Sequence, residues 1–224
     1  PHQLTPGALF DGSTSRWDVE TFRPAGGYDF VAGPIGPEGV VGLVASSPSY
    51  DDGPGWGSAL LVVEDAPSAG VFEHEWVLEG EGYYDALGIS MDARDIDGDG
   101  QLDILAGAPY GDSGCGVAYL FYTPFGETGD SVDDFYNSSS EARATRFSGT
   151  CNGAALNDAF GSTVVLLGGG GEHGAVAGGA PASEFAGKMV GSVAVWEIGP
   201  ETEDTALNLD SASMLIYGED DYDG

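Results

Sequence analysis

The sequence predicts an all-β fold, a β-propeller segment of four-stranded antiparallel blades, and three observations point to it. Three segments share one cadence: a glycine-led strand, a turn, an apolar strand ending in small residues and proline, a polar loop, then another apolar or aromatic strand. The leading glycines, Gly27, Gly88 and Gly161, stand 61 and 73 residues apart, and the prolines Pro48, Pro109 and Pro181 stand 61 and 72 apart, so two independent anchors agree within one residue. Finally, short runs rich in Val, Tyr, Phe and Trp alternate with Gly, Asp and Pro, and no long stretch carries a helical period. Four short strands per unit of about 60 residues describe a propeller blade. A β-sandwich would explain the strand spacing but not the recurrence of Gly, Pro and Gly at fixed offsets.

Taken in order, residues 1–26 include Trp17 to Phe22 and read as the outer part of a preceding blade. Residues 27–79 form a degenerate unit with Ser46-Ser47-Pro48 ending its second strand and a fourth apolar segment from Phe72 to Leu78. Residues 80–150 hold the clearest unit: Leu87-Gly88, then Asp95–Asp103, Ile104–Pro109, a loop from Tyr110 to Cys115, and Gly116–Tyr122. Residues 151–213 repeat it with Phe160-Gly161, Val176–Pro181 and Gly191–Trp196. Residues 214–224 read as the start of a further blade, because Leu215–Gly218 followed by Asp223 repeats the spacing of Leu78–Gly80 followed by Asp85. About three blades with partial blades at both ends are read as one propeller domain and as a fragment of a longer protein, since propellers close with four to eight blades.

Charge narrows the partners. The 224 residues carry 37 Asp and Glu against 6 Lys and Arg, a net charge of −31, with Lys188 the one lysine. A field of that sign repels polyphosphate, which excludes nucleic acid and acidic membrane surfaces as partners. With 42% hydrophobic residues and 11% aromatics, the chain has the material for a core, and disorder is excluded. Apolar runs such as Val164–Leu167 are strand-sized, far short of the ~18 residues of a spanning helix. No charged-then-apolar leader is read after Pro1.

Asp95, Asp97, Asp99 and Asp103 occupy positions 1, 3, 5 and 9 of a turn, with Gln101 at position 7. Ca²⁺ takes six to eight oxygen ligands, and alternating aspartates around a tight turn converge their carboxylates, with Gln101 contributing its backbone carbonyl. Gly98 and Gly100 permit the reversal. An EF-hand would need Glu at position 12, where Ala106 stands, and Mg²⁺ prefers a smaller, largely hydrated site. The matching positions of the flanking units, Pro34 to Gly42 and Leu167 to Ala175, hold no more than one carboxylate each, so one calcium site is expected. His173 stands alone there and is read as a solvated loop residue.

Phe160-Gly161, Gly107-Ala108-Pro109 and the intervening Asp95–Asp103 loop together resemble FG-GAP repeats, which form the propeller of integrin alpha chains and of many bacterial surface proteins. The resemblance spans roughly residues 27–213 and implies a calcium-stabilised propeller. It also implies that ligands meet the face carrying the loops between second and third strands, opposite the calcium turn. In this chain that face includes the aromatics Tyr50, Trp56, Tyr110 and Phe185, which suit recognition of a protein or glycan. Cys115 and Cys151 fall on loops of that same face and are the candidate disulfide of an oxidising compartment. Asn137-Ser138-Ser139 is a glycosylation sequon, a short pattern that often arises by chance.

His2, His74 and His173 are scattered, and no nucleophile elbow, P-loop or His-Glu-x-x-His pattern occurs, so an enzyme is not expected. The expected function is a calcium-binding adhesion or protein/glycan-binding module of a secreted or cell-surface protein. The alternatives are a non-catalytic accessory propeller of an extracellular hydrolase or lyase, and a structural surface-layer component.

Overall fold

The computed structural model describes residues 29–35, 41–47, 59–63, 76–79, 85–123, 144–150, 158–169, 174–199, 202 and 205–219. Within them the fold is all-β, with no α-helix among the described residues. Sheet 1 is an antiparallel meander of β1 (Phe30–Pro34), β2 (Val41–Ser47), β3 (Ala59–Val63) and β4 (Trp76–Glu79). Sheet 2 continues with β5 (Ser90–Arg94), β6 (Asp103–Ala108), β7 (Val117–Phe121) and β8 (Ala144–Ser148). Sheet 3 is built from β9 (Thr163–Gly168), β10 (Gly174–Ala180), β13 (Ser192–Ile198) and β15 (Met214–Tyr217), and a small hairpin, β11 (Glu184–Phe185) with β12 (Lys188–Met189), projects between β10 and β13.

Two expectations need correction. Residues 214–217 do not open a further unit: β15 pairs with β13, Val193 opposite Ile216, and completes sheet 3. The middle sheet is also not purely antiparallel. β14 (Ala206–Asn208), from the connection between β13 and β15, crosses to sheet 2 and pairs parallel with β8. Its Thr205 carbonyl accepts the Arg146 N–H. An open edge at β8 would present unpaired backbone groups, and β14 covers it. The expected partial unit at residues 1–26 lies outside the described residues.

The sheets pack face to face in chain order, and the period of two along each strand sorts the core. On sheet 2, Met91, Ile104, Ala106, Ala108, Val117, Tyr119 and Phe121 meet Ile35, Val44 and Leu78 of sheet 1. Its alternate residues Leu105, Ala118, Leu120, Tyr122 and Phe147 meet Val164, Leu166, Val176 and Trp196 of sheet 3. With both faces covered, β6 and β7 are buried at every position, so apart from Asp103 their sequence shows apolar runs without alternation.

The glycines that set the repeat have a mechanical reason. Gly88 donates its N–H to the Gly107 carbonyl and Gly161 donates to Gly179, which ties the start of each unit to the end of its second strand. Gly161 sits at φ +86, and its Cα lies so close to Gly107 that a Cβ on either would strike neighbouring backbone. The residue before each of these glycines is a fully buried plug, Leu87 in sheet 2 and Phe160 in sheet 3.

Candidate metal centre

Residues 95–102 join β5 to β6 and lie at one end of the hairpin, closed by the register pair Arg94 and Asp103. Gly98 and Gly100, at φ 84 and 90, supply left-handed conformations that let the chain reverse twice within a few residues. The Asp95 carboxylate accepts the N–H groups of Gly98 at 2.7 Å and Gly100 at 3.1 Å. Asp97 accepts Asp99 N–H at 3.1 Å, and Asp99 accepts Gln101 N–H at 2.7 Å. These local bonds turn the three side chains inward, so that one oxygen of each of Asp95, Asp97 and Asp99 lies within 4.8 Å of the others.

Gln101 and Asp103 stand differently from the other three. Gln101 donates its side-chain amide to Asp99 Oδ2, while its own Oε1 is buried without a hydrogen-bond donor. Asp103 is fully buried and is not among the gathered carboxylates: Oδ2 accepts Ile96 N–H at 2.8 Å and Oδ1 accepts Thr123 N–H at 3.0 Å. Burial pushes its carboxyl up to about 7; Asp97 and Asp99 add to the rise, and the two backbone donors oppose it. As the structure stands, Asp103 pins the base of the turn to the end of β7, a role that the spacing of aspartates along the chain does not reveal.

The donor set fits a hard cation. Three carboxylates and an orphaned amide oxygen are all oxygen donors, gathered on a turn with no sulfur or imidazole ligand, which suits Ca²⁺ over a transition metal. Neighbouring sheets hold the turn from both sides. Leu102 donates its N–H to the Pro34 carbonyl of sheet 1 at 2.7 Å. Gly169 of sheet 3 lies against Asp95 and Arg94, and Gly174 lies against Ile96.

The opposite end of the sheets carries the connections between second and third strands. Tyr110 is exposed, and Tyr110–Gly116 is knotted by N–H groups of Gly111, Gly114, Cys115 and Gly116 donating to the carbonyls of Ala108, Tyr110, Gly111 and Asp112. Phe185 of the small hairpin is exposed yet stacked on Tyr217, ring centroids 4.5 Å apart. Tyr50 and Trp56 lie outside the described residues, as do Asn137 and Cys151. Cys115 is buried in the Tyr110–Gly116 turn.

At this same end lies Asp158, which no pattern in the chain singles out. Its buried carboxylate accepts the Thr150 hydroxyl at 2.9 Å, and its carbonyl accepts Ala182 N–H. Burial raises its pKa, with Glu184 adding to the rise and the Thr150 bond opposing it. A carboxyl whose folded pKa lies above its unfolded value of 3.8 stabilises the fold fully below that value and loses its contribution as pH rises through the folded pKa. Asp158→Asn keeps an acceptor for Thr150 and removes the buried charge. Urea unfolding from pH 4 to 8 is therefore expected to show a flatter pH dependence in the variant, with equal or higher stability at pH 7.

Residues 87–122, from the Leu87 plug through the acidic turn to the end of β7, match the FG-GAP repeat family. The match covers the middle unit, where the resemblance is strongest in sequence. No curated protein matches the chain at a significant level.

Proposed function

We propose that this chain is a calcium-stabilised, integrin-like β-propeller segment that serves a secreted or cell-surface protein in adhesion or in binding a protein or glycan. The observation that carries the reading is the convergence of Asp95, Asp97 and Asp99 on the first hairpin of the unit that matches the FG-GAP repeat. FG-GAP repeats are typical of extracellular proteins and are in general non-catalytic, and the reading assigns this chain no reaction. No helix among the described residues is long and apolar enough to cross a membrane. Asp95, Asp97, Asp99 and the Gln101 backbone carbonyl would hold the cation, while Asp103 braces the base of the turn through Ile96 and Thr123. The ion would neutralise mutually repelling carboxylates and stiffen the hairpin, a structural service. Titration calorimetry checks it: Ca²⁺ gives a binding heat with wild type and none with Asp97→Ala. Equal heats in both would remove the site.

Ligand contact is assigned to the opposite end, where Tyr110 and Phe185 are exposed on short, well-bonded connections; Tyr50 and Trp56, outside the described residues, are assigned to it from their place in the repeat. Rigid aromatics lose little entropy on binding and suit a recognition surface. Capture of the segment on arrays of matrix proteins and glycans is expected to fall at least about tenfold in Tyr110→Ala with Phe185→Ala, with Ca²⁺ affinity unchanged.

The two cysteines are assigned to one disulfide, Cys115 to Cys151, in keeping with an oxidising exterior. Support comes from the chain path: Gly149 donates its N–H to the Gly116 carbonyl and Phe160 donates to the Cys115 carbonyl. The chain therefore returns to Cys115 on both sides of Cys151. Non-reducing peptide mapping is expected to recover the linked pair, and thiol titration of the unfolded, unreduced protein is expected to find none.

A further inference from the structure

The acidic turn and the crossing strand β14 are joined by a continuous relay of hydrogen bonds. At the base of the turn, the fully buried Asp103 carboxylate accepts Ile96 N–H through Oδ2 and Thr123 N–H through Oδ1. The peptide carrying the Thr123 N–H is planar and starts at Tyr122, so the grip on Thr123 also fixes where Tyr122 stands. Tyr122 is 2% exposed and brings its hydroxyl within 3.2 Å of Thr145 Oγ1 on β8. Thr145 gives its single hydroxyl proton to the Thr202 carbonyl at 2.7 Å, so Tyr122 is the donor in that pair. Thr202 stands at the entry to β14, three residues before Thr205, whose carbonyl accepts Arg146 N–H of β8.

Both ends of the relay have two states open to them. β14 is three residues long, with Ala206 and Asn208 exposed and Leu207 packed on the core. It is held by parallel pairing with Arg146–Ser148 and by the Trp196 Nε1 bond to the Asn208 carbonyl. A short strand with few apolar anchors belongs to the low-stability end of a fold, where docked and released forms interconvert locally. At the other end, Asp95, Asp97 and Asp99 are gathered within 4.8 Å and repel one another unless a cation sits among them. Ile96 lies between two of these carboxylates, so whatever orders the turn also orders the Ile96 N–H on Asp103.

We propose that this relay makes the docking of β14 calcium-dependent: an ion at the Asp95–Asp99 turn and β14 on the β8 edge favour one another. The proposal rests on the calcium reading above and adds a regulated element to it. The docked or released strand is the two-state element, and the coupling is reciprocal, so that docking of β14 also raises the affinity of the turn for calcium. With the turn empty, carboxylate repulsion loosens residues 95–97 and the Ile96 bond to Asp103. Thr123 and Tyr122 then lose their fixed position, and Thr145 loses the donor that aligns it on Thr202. A released β14 leaves unpaired backbone groups along β8, the kind of edge that pairs with another strand. In sheet 2 the order runs β14, β8, β7, β6, β5, so a turn at the β5–β6 hairpin governs whether the opposite edge is covered.

Hydrogen exchange of the 224-residue chain, read amide by amide in Ca²⁺ and in chelator, tests the coupling. The Arg146 amide reports the docking of β14, and the Ile96 and Leu102 amides report the turn. In wild type, Ca²⁺ is expected to slow all three, Arg146 by at least about fivefold. Tyr122→Phe keeps the ring and removes the hydroxyl, and Thr145→Val removes both bonds made by Oγ1. In each variant Ca²⁺ is expected to give a calorimetric heat and to slow Ile96 and Leu102 still, while Arg146 no longer responds. No binding heat in wild type would overturn the coupling and the calcium reading together. Heat with an unchanged Arg146 rate would overturn the coupling alone, as would a slowing of Arg146 that persists in both variants.

Discussion

Replacing Trp196 by alanine is expected to lower the unfolding free energy by about 3–5 kcal/mol, the range for removing a large aromatic from a packed core. Trp196 is almost fully buried on β13 and lies against two other rings, Phe147 at 5.2 Å and Phe160 at 5.5 Å between centroids. Those rings belong to different sheets, so the indole is shared between the middle and last sheets. Its Nε1 donates to the Asn208 carbonyl at 3.1 Å, on the strand that crosses between them. Against a total stability of roughly 5–15 kcal/mol, such a loss threatens folding at physiological temperature. Guanidinium unfolding followed by circular dichroism is the measurement, with a lower midpoint and an unchanged slope. Trp196→Phe keeps most of the apolar contact and forfeits the hydrogen bond, so it is expected to cost about 1–2 kcal/mol. A loss below about 1 kcal/mol for the alanine variant would mean that the indole does not join the two sheets.

Calcium is expected to have the next largest effect. A ligand bound only by the folded chain stabilises it by about 2.7 kcal/mol at a hundred times its dissociation constant. For a chain of this length, each kcal/mol moves the midpoint by about 2–4 °C, so saturating Ca²⁺ is expected to raise it by roughly 5–10 °C. Scanning calorimetry in Ca²⁺ and in chelator shows the difference directly. Asp97→Ala is expected to remove the shift, because Asp97 is one of three carboxylates gathered within 4.8 Å and its backbone role is a single bond to Asp99 N–H. Without metal, the same variant is expected to be no less stable than wild type, since one mutually repelling charge has gone. An equal calcium shift in both proteins would place the ion elsewhere.

How much of this was legible in the sequence depended on whether a feature is local. The β5–β6 hairpin and its inward aspartates could be read because Gly98, Gly100 and the alternating carboxylates act within nine residues. The meanders of sheets 2 and 3 could be read because Gly88 with Gly107 and Gly161 with Gly179 repeat a steric need at fixed spacing. Asp103 looks like one more ligand in the chain and is set apart only by the fold, which brings Thr123 N–H to its second oxygen from 20 residues away. The parallel strand Ala206–Asn208 has no pattern of its own, because its partner is the edge of another sheet and supplies the order. Asp29 and Asp92 carry no motif in the chain, and only packing places them against strands 62 and 74 residues further on.

That crossing strand also bears on how the molecule comes apart. In arrays of stacked units each element ordinarily feels only its neighbours through face packing, and terminal units fray independently. Here the last sheet cannot separate from the middle one without also stripping β14 from β8, because β14 lies on the chain between β13 and β15. The amide protons of β8 and β13 are therefore expected to exchange with solvent at one common rate, as a single opening unit, while those of β1 and β2 exchange faster.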